Sequence, residues 1–157
     1  MNLKEVIRAS KSEIDTGRWA DGHIPRAAFP LSKVKEKSFK LGKSYSWRLV
    51  KFNALGSGFR ILIVLNKDKE IMRCRLGLED SGDMKVLCDH EFHASEPGWH
   101  CHFTLKDVSL LTPGVVRADL ERRRPKMADP TAKFMVTKDG ALTIAAERYG
   151  LPKGTLL

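Results

Sequence analysis

An α+β fold is expected, with an antiparallel β-meander of about five strands and an N-terminal helix and two C-terminal helices packed on it. Three features of the sequence predict it. Between residues 44 and 105 apolar side chains recur with period two, in runs broken by short turn-forming stretches. Residues 3–15 place Leu3, Val6, Ile7 and Ile14 on one helical stripe with charges opposite. Past residue 106 helix signals return, at Thr112-Pro113 and at Asp139. A chain of 157 residues is one domain by length and large enough to bury a core without staples. Residues 18–43 form an irregular basic segment within it, 44–105 the sheet and 106–157 the helical part.

Each element has its local reason. Thr16-Gly17 ends the first helix. The basic segment follows, broken by Gly22, Pro25 and Pro30 and carrying Lys33, Lys35, Lys37, Lys40 and Lys43. Trp19, His23 and Phe29 interleave there with Arg18 and Arg26. Aromatics beside cations suit stacking on single-stranded nucleic acid, or else they anchor a long loop onto the core. Residues 44–54 alternate as a strand. Gly56-Ser57-Gly58 is a turn, too short for a phosphate-binding loop and without its lysine. Phe59 to Leu65 is apolar almost throughout and reads as a central strand, and Asn66 to Lys69 is a hairpin turn. Glu70 to Leu78 then sends Met72, Cys74, Leu76 and Leu78 inward and Arg73 and Arg75 outward. Beyond the sheet, a helix from Thr112 stops before Pro125 with Arg122, Arg123 and Arg124 in its last turn, where cations suit the helix dipole or a phosphate. A loop at 129–132, an edge strand at 133–137 and a last helix capped by Asp139 complete the chain. Leu142, Ala145, Ala146 and Tyr149 make the buried stripe of that helix, and Gly150-Leu-Pro152 ends it.

Composition bounds the function. The net charge is +9, so a polyanion partner is the natural inference, with nucleic acid the commonest. Three cysteines without paired spacing argue against a disulfide framework and for a reducing, cytoplasmic setting. No apolar run approaches the roughly 20 residues that span a bilayer, and Met-Asn-Leu-Lys-Glu-Val-Ile-Arg does not read as a secretory signal, so no membrane partner is expected.

The chemistry concentrates between Met84 and Leu105, where four of the five histidines and two of the three cysteines fall. Two alternating halves separated by Ala-Ser-Glu-Pro-Gly (94–98) read as a hairpin. Met84, Val86, Cys88, His90 and Phe92 share one face of the first strand, and Trp99, Cys101, Phe103 and Leu105 one face of the second. Burying both apolar rows together sets His93 across from His100 and Glu91 across from His102. The solvated face then carries Asp89, Glu91, His93, His100 and His102, with directly opposed β-carbons roughly 5 Å apart.

Two functional readings fit this face. His93, His100 and His102 are candidate ligands for a divalent ion, zinc or manganese, with Glu91 and Asp89 as carboxylate partners. Alternatively a histidine oriented by Glu91 or Asp89 acts as general acid or base without a metal. The plain alternative is a polar solvated strand face. His90, on the buried row, reads as a hydrogen-bonded core histidine, and a zinc site built from Cys88, Cys101 and His90 would need those three to converge. If Arg73 and Arg75 continue the histidine face, guanidiniums sit beside imidazoles, a combination suited to a phosphodiester. Otherwise they pair with Asp89 and Glu91.

Arg-Ile-Leu-Ile-Val-Leu, a turn, then Lys-Val-Leu-Cys-Asp-His-Glu-Phe-His and His-Cys-His-Phe resembles the layout of small toxin-like proteins coded in bacterial toxin-antitoxin operons. The resemblance covers residues 59–105. Those proteins tend to carry Arg-Tyr-Asp-Asn where this chain has Cys88-Asp89-His90-Glu91. It implies an RNA-directed toxin with an antitoxin as protein partner. The expectation is thus a small basic protein acting on nucleic acid, RNA before DNA, as a His-dependent or metal-dependent ribonuclease-like hydrolase. Arg18, Arg26, Lys33, Lys35, Lys37, Arg73, Arg75 and Arg122 to Arg124 are its candidate phosphate contacts. The competing expectation is a non-enzymatic module that binds nucleic acid or a protein.

Overall fold

The structure, a computed structural model, describes residues 1–32, 38–93, 96–115, 117–124 and 135–156. Lys33, Lys35 and Lys37 lie outside the described residues, as does the loop expected at 129–132. The edge strand expected at 133–137 begins outside them, and its described part, 135–137, is not a strand.

The architecture is α+β, dominated by antiparallel sheet, with two α-helices among the described residues. The chain runs α1 (Leu3–Arg8), β1 (Ser12–Asp15), β2 (Ala20–Asp21), β3 (Ile24–Pro25), β4 (Ser38–Phe39), β5 (Ser46–Ala54), β6 (Ser57–Asn66), β7 (Ile71–Asp80), β8 (Asp83–His93), β9 (Glu96–Phe103), β10 (Glu121–Arg123) and α2 (Lys138–Tyr149). The main sheet has eight strands in the order β1-β5-β6-β7-β8-β9-β10, with β2 also on β5, while β3 and β4 pair separately. It is therefore not the expected five-strand meander. The five long strands from β5 to β9 are consecutive neighbours, and short strands from flanking segments extend them at both edges.

Two helical expectations are corrected at the same time. The first helix stops at Arg8 because Lys11 Nζ binds the carbonyls of Val6, Ile7 and Ala9 at 2.9, 2.5 and 2.8 Å, capping the open end. Residues 12–15 are released to pair with β5, with Glu13 at a positive φ of 48° where the register shifts. The helix expected from Thr112 is also absent. Gly114 at φ 91° breaks it, a single 3-10 turn covers Arg117–Asp119, and Glu121–Arg123 pair as β10 with β9. That pairing satisfies the backbone groups that β9 would otherwise expose at its edge, a gain available only once the sheet exists. Local signals for a helix lose to it.

Both faces of the sheet are covered. On one face α2 lays Ala141, Leu142, Ile144, Ala145 and Tyr149 over Ile61, Ile63, Cys74, Leu76 and Cys88. Thr137 caps this helix by accepting from Gly140 N at 3.0 Å, in place of the expected Asp139. Gly150 ends it in the left-handed region, so close to Ile7 that a β-carbon would lie 2.1 Å from the Ile7 carbonyl oxygen. On the other face the segment around β3 and β4 brings Ile24, Phe29 and Leu31 onto Leu62, Val64, Met84 and Val86.

The second cluster depends on a bulge. Leu76 faces Cys88 but Gly77 faces Val86, so Leu87 is the extra residue. Met84 and Val86 consequently sit on the face opposite to Cys88 and His90, contrary to the single row expected from alternation. Gly77 makes room for this packing: a β-carbon there would come within 2.6 Å of Met84 Cε and 3.0 Å of Phe29 Cζ.

Candidate functional site

Strands β7, β8, β9 and β10 bring the polar residues into two rows on the face that carries Met84 and Val86. Val64, Arg73, Glu91 and His100 are successive cross-strand partners in one row. Leu62, Arg75, Asp89, His102 and Arg122 are successive partners in the next. Directly opposed residues share a face, so each row is continuous. The expected pairing of His93 with His100 and Glu91 with His102 is corrected by two residues. Glu91 opposes His100 and Asp89 opposes His102, and a register shift between Phe92 and His93 takes up Pro97 and Gly98. A slip of two leaves every side chain on its original face, so the same five residues still gather.

The gathered face is buried rather than solvated, the second correction. Asp89, Glu91 and His100 are 1%, 3% and 4% exposed. His102 is half-buried, and Arg73 and His93 are the side chains of the group most open to water, at 35% and 30%. Glu91 is its hub. Its Oε2 lies 2.8 Å from His100 Nε2, 3.5 Å from His93 Nε2 and 3.9 Å from His102 Nε2, while Oε1 accepts from the Arg73 guanidinium. The imidazoles brace one another: His93 stacks on His100 with centroids 5.5 Å apart, and His100 meets His102 edge to face at the same separation.

The two carboxylates shift in opposite directions. Burial alone pushes Glu91 up, but the Arg73 guanidinium and the His100 hydrogen bond together outweigh it and hold the carboxyl at about 2. At Asp89 burial wins and the carboxyl is raised, even though Arg75 donates to Oδ2 from NH2 at 2.7 Å and from Nε at 3.1 Å. Among the described residues nothing hydrogen-bonds Asp89 Oδ1, although it is buried. Such an atom costs stability unless something outside the protein chain completes it.

The geometry meets the requirement for a metal. One ligand atom each from Glu91, His100 and His102 lies within 4.8 Å of the others, and among the described residues this is the group of that kind. Two histidines and a glutamate are a familiar catalytic zinc set because three protein ligands leave a fourth position open to water. His93 lies outside this group, whose third member is Glu91, one of the carboxylate partners expected beside the three histidines. Among the described residues no comparable group forms around Cys88, Cys101 and His90. His90 Nδ1 instead contacts Cys88 Sγ at 3.4 Å and the Tyr149 hydroxyl at 3.5 Å inside the opposite core.

No family model, curated protein or solved structure matches this chain. Function has to be read from the side chains themselves. Arg73 and Arg75 continue the histidine face, and they also pair with Asp89 and Glu91. Arg122 joins the site by a route the sequence did not suggest: as the partner of His102 on β10 it is exposed at the rim of the same face. Arg123 turns to the other face, its guanidinium 5.1 Å from the Phe103 ring centre, and Arg124 is exposed beyond the strand. Among the described residues, Arg73, His93, His100 and His102 meet Glu91, and Arg18 and Arg26 are not of their number. Phe29 and Ile24 are buried, so the aromatics of the basic segment include anchors on the core.

Sequence reasoning missed a cavity of about 360 Å³ beside the triad, lined by Phe39, Tyr45, Leu62 and Val64 and walled by Arg73, Arg75 and His93. Its signal was present in Phe59 to Leu65, whose apolar residues on both faces require a covering layer on each. No helix among the described residues is long and apolar enough to cross a membrane.

Proposed function

We propose that the protein is a metal-dependent phosphodiester hydrolase that acts on nucleic acid, RNA in preference to DNA. The observation that carries this reading is the convergence of Glu91, His100 and His102 beside two guanidiniums. Two carboxylates and two guanidiniums balance to no net charge, so a divalent ion in the triad makes the site cationic, as a phosphate requires. Zinc or manganese suits a nitrogen-and-oxygen donor set. Bound there, the ion supplies a water of lowered pKa and polarises a phosphoryl oxygen. Arg73 and Arg122 hold the non-bridging oxygens. His93, half-exposed and 3.5 Å from Glu91, moves the proton: the attacking oxygen forms its bond to phosphorus, the bond to the leaving oxygen breaks, and protonated His93 returns a proton to that oxygen. The net charge of +9 draws the polyanion in. The toxin-like resemblance adds the expectation of RNA as substrate and of an antitoxin-like partner that restrains the activity.

A metal-free reading is favoured by one distance, the 2.8 Å from His100 to Glu91, which makes a carboxylate-oriented general base. The two separate cleanly. Metal analysis of purified protein should find about one zinc or manganese per chain, and a chelator should stop RNA cleavage. The His100→Ala/His102→Ala double variant should lose both metal and cleavage. Cleavage undiminished in that variant would remove the enzyme reading, and cleavage that survives chelation would select the metal-free one.

A further inference from the structure

We infer that the cavity beside the triad is a nucleobase pocket, so that the substrate is presented as an unpaired nucleotide whose phosphate lies at Arg73 and His93. This deepens the hydrolase reading and rests on it for the reaction, though not for the binding. The cavity, about 360 Å³, falls toward the lower end of the roughly 300–1,000 Å³ usual for small-ligand sites. It is sized for one nucleoside rather than for a strand.

Its lining divides into two chemistries. Phe39 and Tyr45 supply aromatic surface, and Leu41, Leu62, Val64 and Ile71 supply aliphatic surface. Arg73, Arg75 and His93 stand together at the polar wall. Arg73 and His93 are also the two residues that contact Glu91 from the cavity side, so the mouth of the pocket and the edge of the triad are the same side chains. A ligand with a flat apolar body and one anionic group would fill both parts at once, and a nucleoside phosphate has that shape and charge. Bases stack on aromatic and guanidinium faces without regard to sequence. A base held in a duplex cannot reach this lining, because it must first leave its stack.

The segment forming this wall ties the pocket to the fold. Phe39 belongs to β4, which pairs with β3 through Ile24, and Ile24 is itself buried against Leu62 and Val64. Ile24, Phe39, Leu41 and Tyr45 thus have a role beyond covering the sheet: they build the apolar half of a binding site next to the polar half.

Calorimetric titration of the metal-loaded protein tests this with adenosine 5′-monophosphate, adenosine, inorganic phosphate and decanoate as probes. Adenosine monophosphate should bind at least about tenfold more tightly than phosphate alone, the worth of one stacked base. Tyr45→Ala, and Leu41→Trp as a cavity-filling change, should remove that advantage while phosphate binding and metal content stay as in the parent. Single-stranded RNA should be cut at least tenfold faster than the same strand in a duplex. The pocket assignment is overturned if decanoate binds more tightly than the nucleotide, or if both variants bind the nucleotide as the parent does. The two proposals fail separately. Nucleotide binding that depends on Tyr45 in a protein that cuts no RNA sinks the hydrolase and keeps the pocket. Equal cutting of single strand and duplex, without nucleotide binding, sinks the pocket and keeps the hydrolase.

Discussion

Strands β8 and β9 present histidines to both sides of the sheet, and the two sides treat them differently. On the α2 side His90 lies between Cys88 and Tyr149, in a layer where Tyr149 donates its hydroxyl to the Cys74 carbonyl and burial raises the Cys74 and Cys88 thiols and the Tyr149 phenol. Burial holds those thiols and that phenol neutral. On the other side His93, His100 and His102 surround one carboxylate held ionised at about 2, with guanidiniums behind it. The residue type is the same and both sides are buried. What differs is whether charge has been built in next to the ring. A histidine among neutral hydrogen-bonding groups is a packing element, whereas histidines around a stabilised carboxylate are poised to take a cation or move a proton.

The sharpest way to break this contrast is to neutralise the hub. Glu91→Gln keeps the size and can still accept from Arg73, but it removes the anion that holds three imidazoles. RNA cleavage should fall about 1,000-fold and the metal should be lost, because without the ion there is no activated water. His90→Phe on the opposite side should leave metal content and cleavage rate unchanged. If both substitutions abolish cleavage in folded protein, the division between the two faces fails.

The carboxylates allow the contrast to be read by pH. Glu91 sits near 2 in the folded protein against an ordinary 4.5, so its contribution to stability is complete above 4.5 and disappears as pH falls toward 2. Its size is about 3 kcal/mol, from roughly 1.4 kcal/mol per pKa unit. Asp89 runs the other way. Its folded carboxyl is raised above 3.8, so the benefit of the protonated form is complete below 3.8 and is lost as pH rises through the raised value. Urea midpoints between pH 7 and pH 2.5 should show Glu91→Gln costing most at pH 7 and least in acid. Asp89→Asn should gain on the parent as pH rises. Parallel curves for both variants would mean that neither carboxylate carries the field ascribed to it.

A smaller effect is expected from the neutral side. Tyr149→Phe leaves the Cys74 carbonyl without its donor in a fully buried position and should cost about 1–2 kcal/mol in urea unfolding. Metal content should not change. Loss of the metal in this variant would show that the two faces are coupled through the sheet.

How much of this was legible in the sequence follows from parity. Alternation from Asp89 to Phe103 groups the residues that share a face, and Asp89, Glu91, His93, His100 and His102 do lie on one. Alternation cannot count register, because a shift of two residues preserves every face, and the shift at Phe92 and His93 did that. It also cannot see a bulge: Leu87 reverses the phase, which is why Met84 and Val86 left the row assigned to them. Burial of the polar face was hidden for a different reason. Beside it, Leu62, Val64, Met84 and Val86 are covered by Ile24, Phe29 and Leu31, from a stretch whose glycines, prolines and lysines give no period, and their placement is fixed by the surface they cover. The first of the two expected C-terminal helices, from Thr112, failed in the same manner, since Glu121–Arg123 found an edge strand to pair with.

The smallest effect sharpens the comparison most, because it uses neighbours on one short strand. Arg122 opposes His102 and so lies on the triad's face, while Arg123 opposes Cys101 and lies over Phe103 on the other. Both are exposed, so Arg122→Ala and Arg123→Ala should each change stability by less than about 0.5 kcal/mol. If phosphate is held at the triad, only Arg122→Ala removes a phosphate contact there. It should lower the slope of log affinity for single-stranded RNA against log salt by about 1, and Arg123→Ala should leave that slope unchanged. Equal slopes for the two variants would mean that nucleic acid meets this edge as a diffuse basic surface. The face that β10 shares with His102 would then have no special claim on the phosphate.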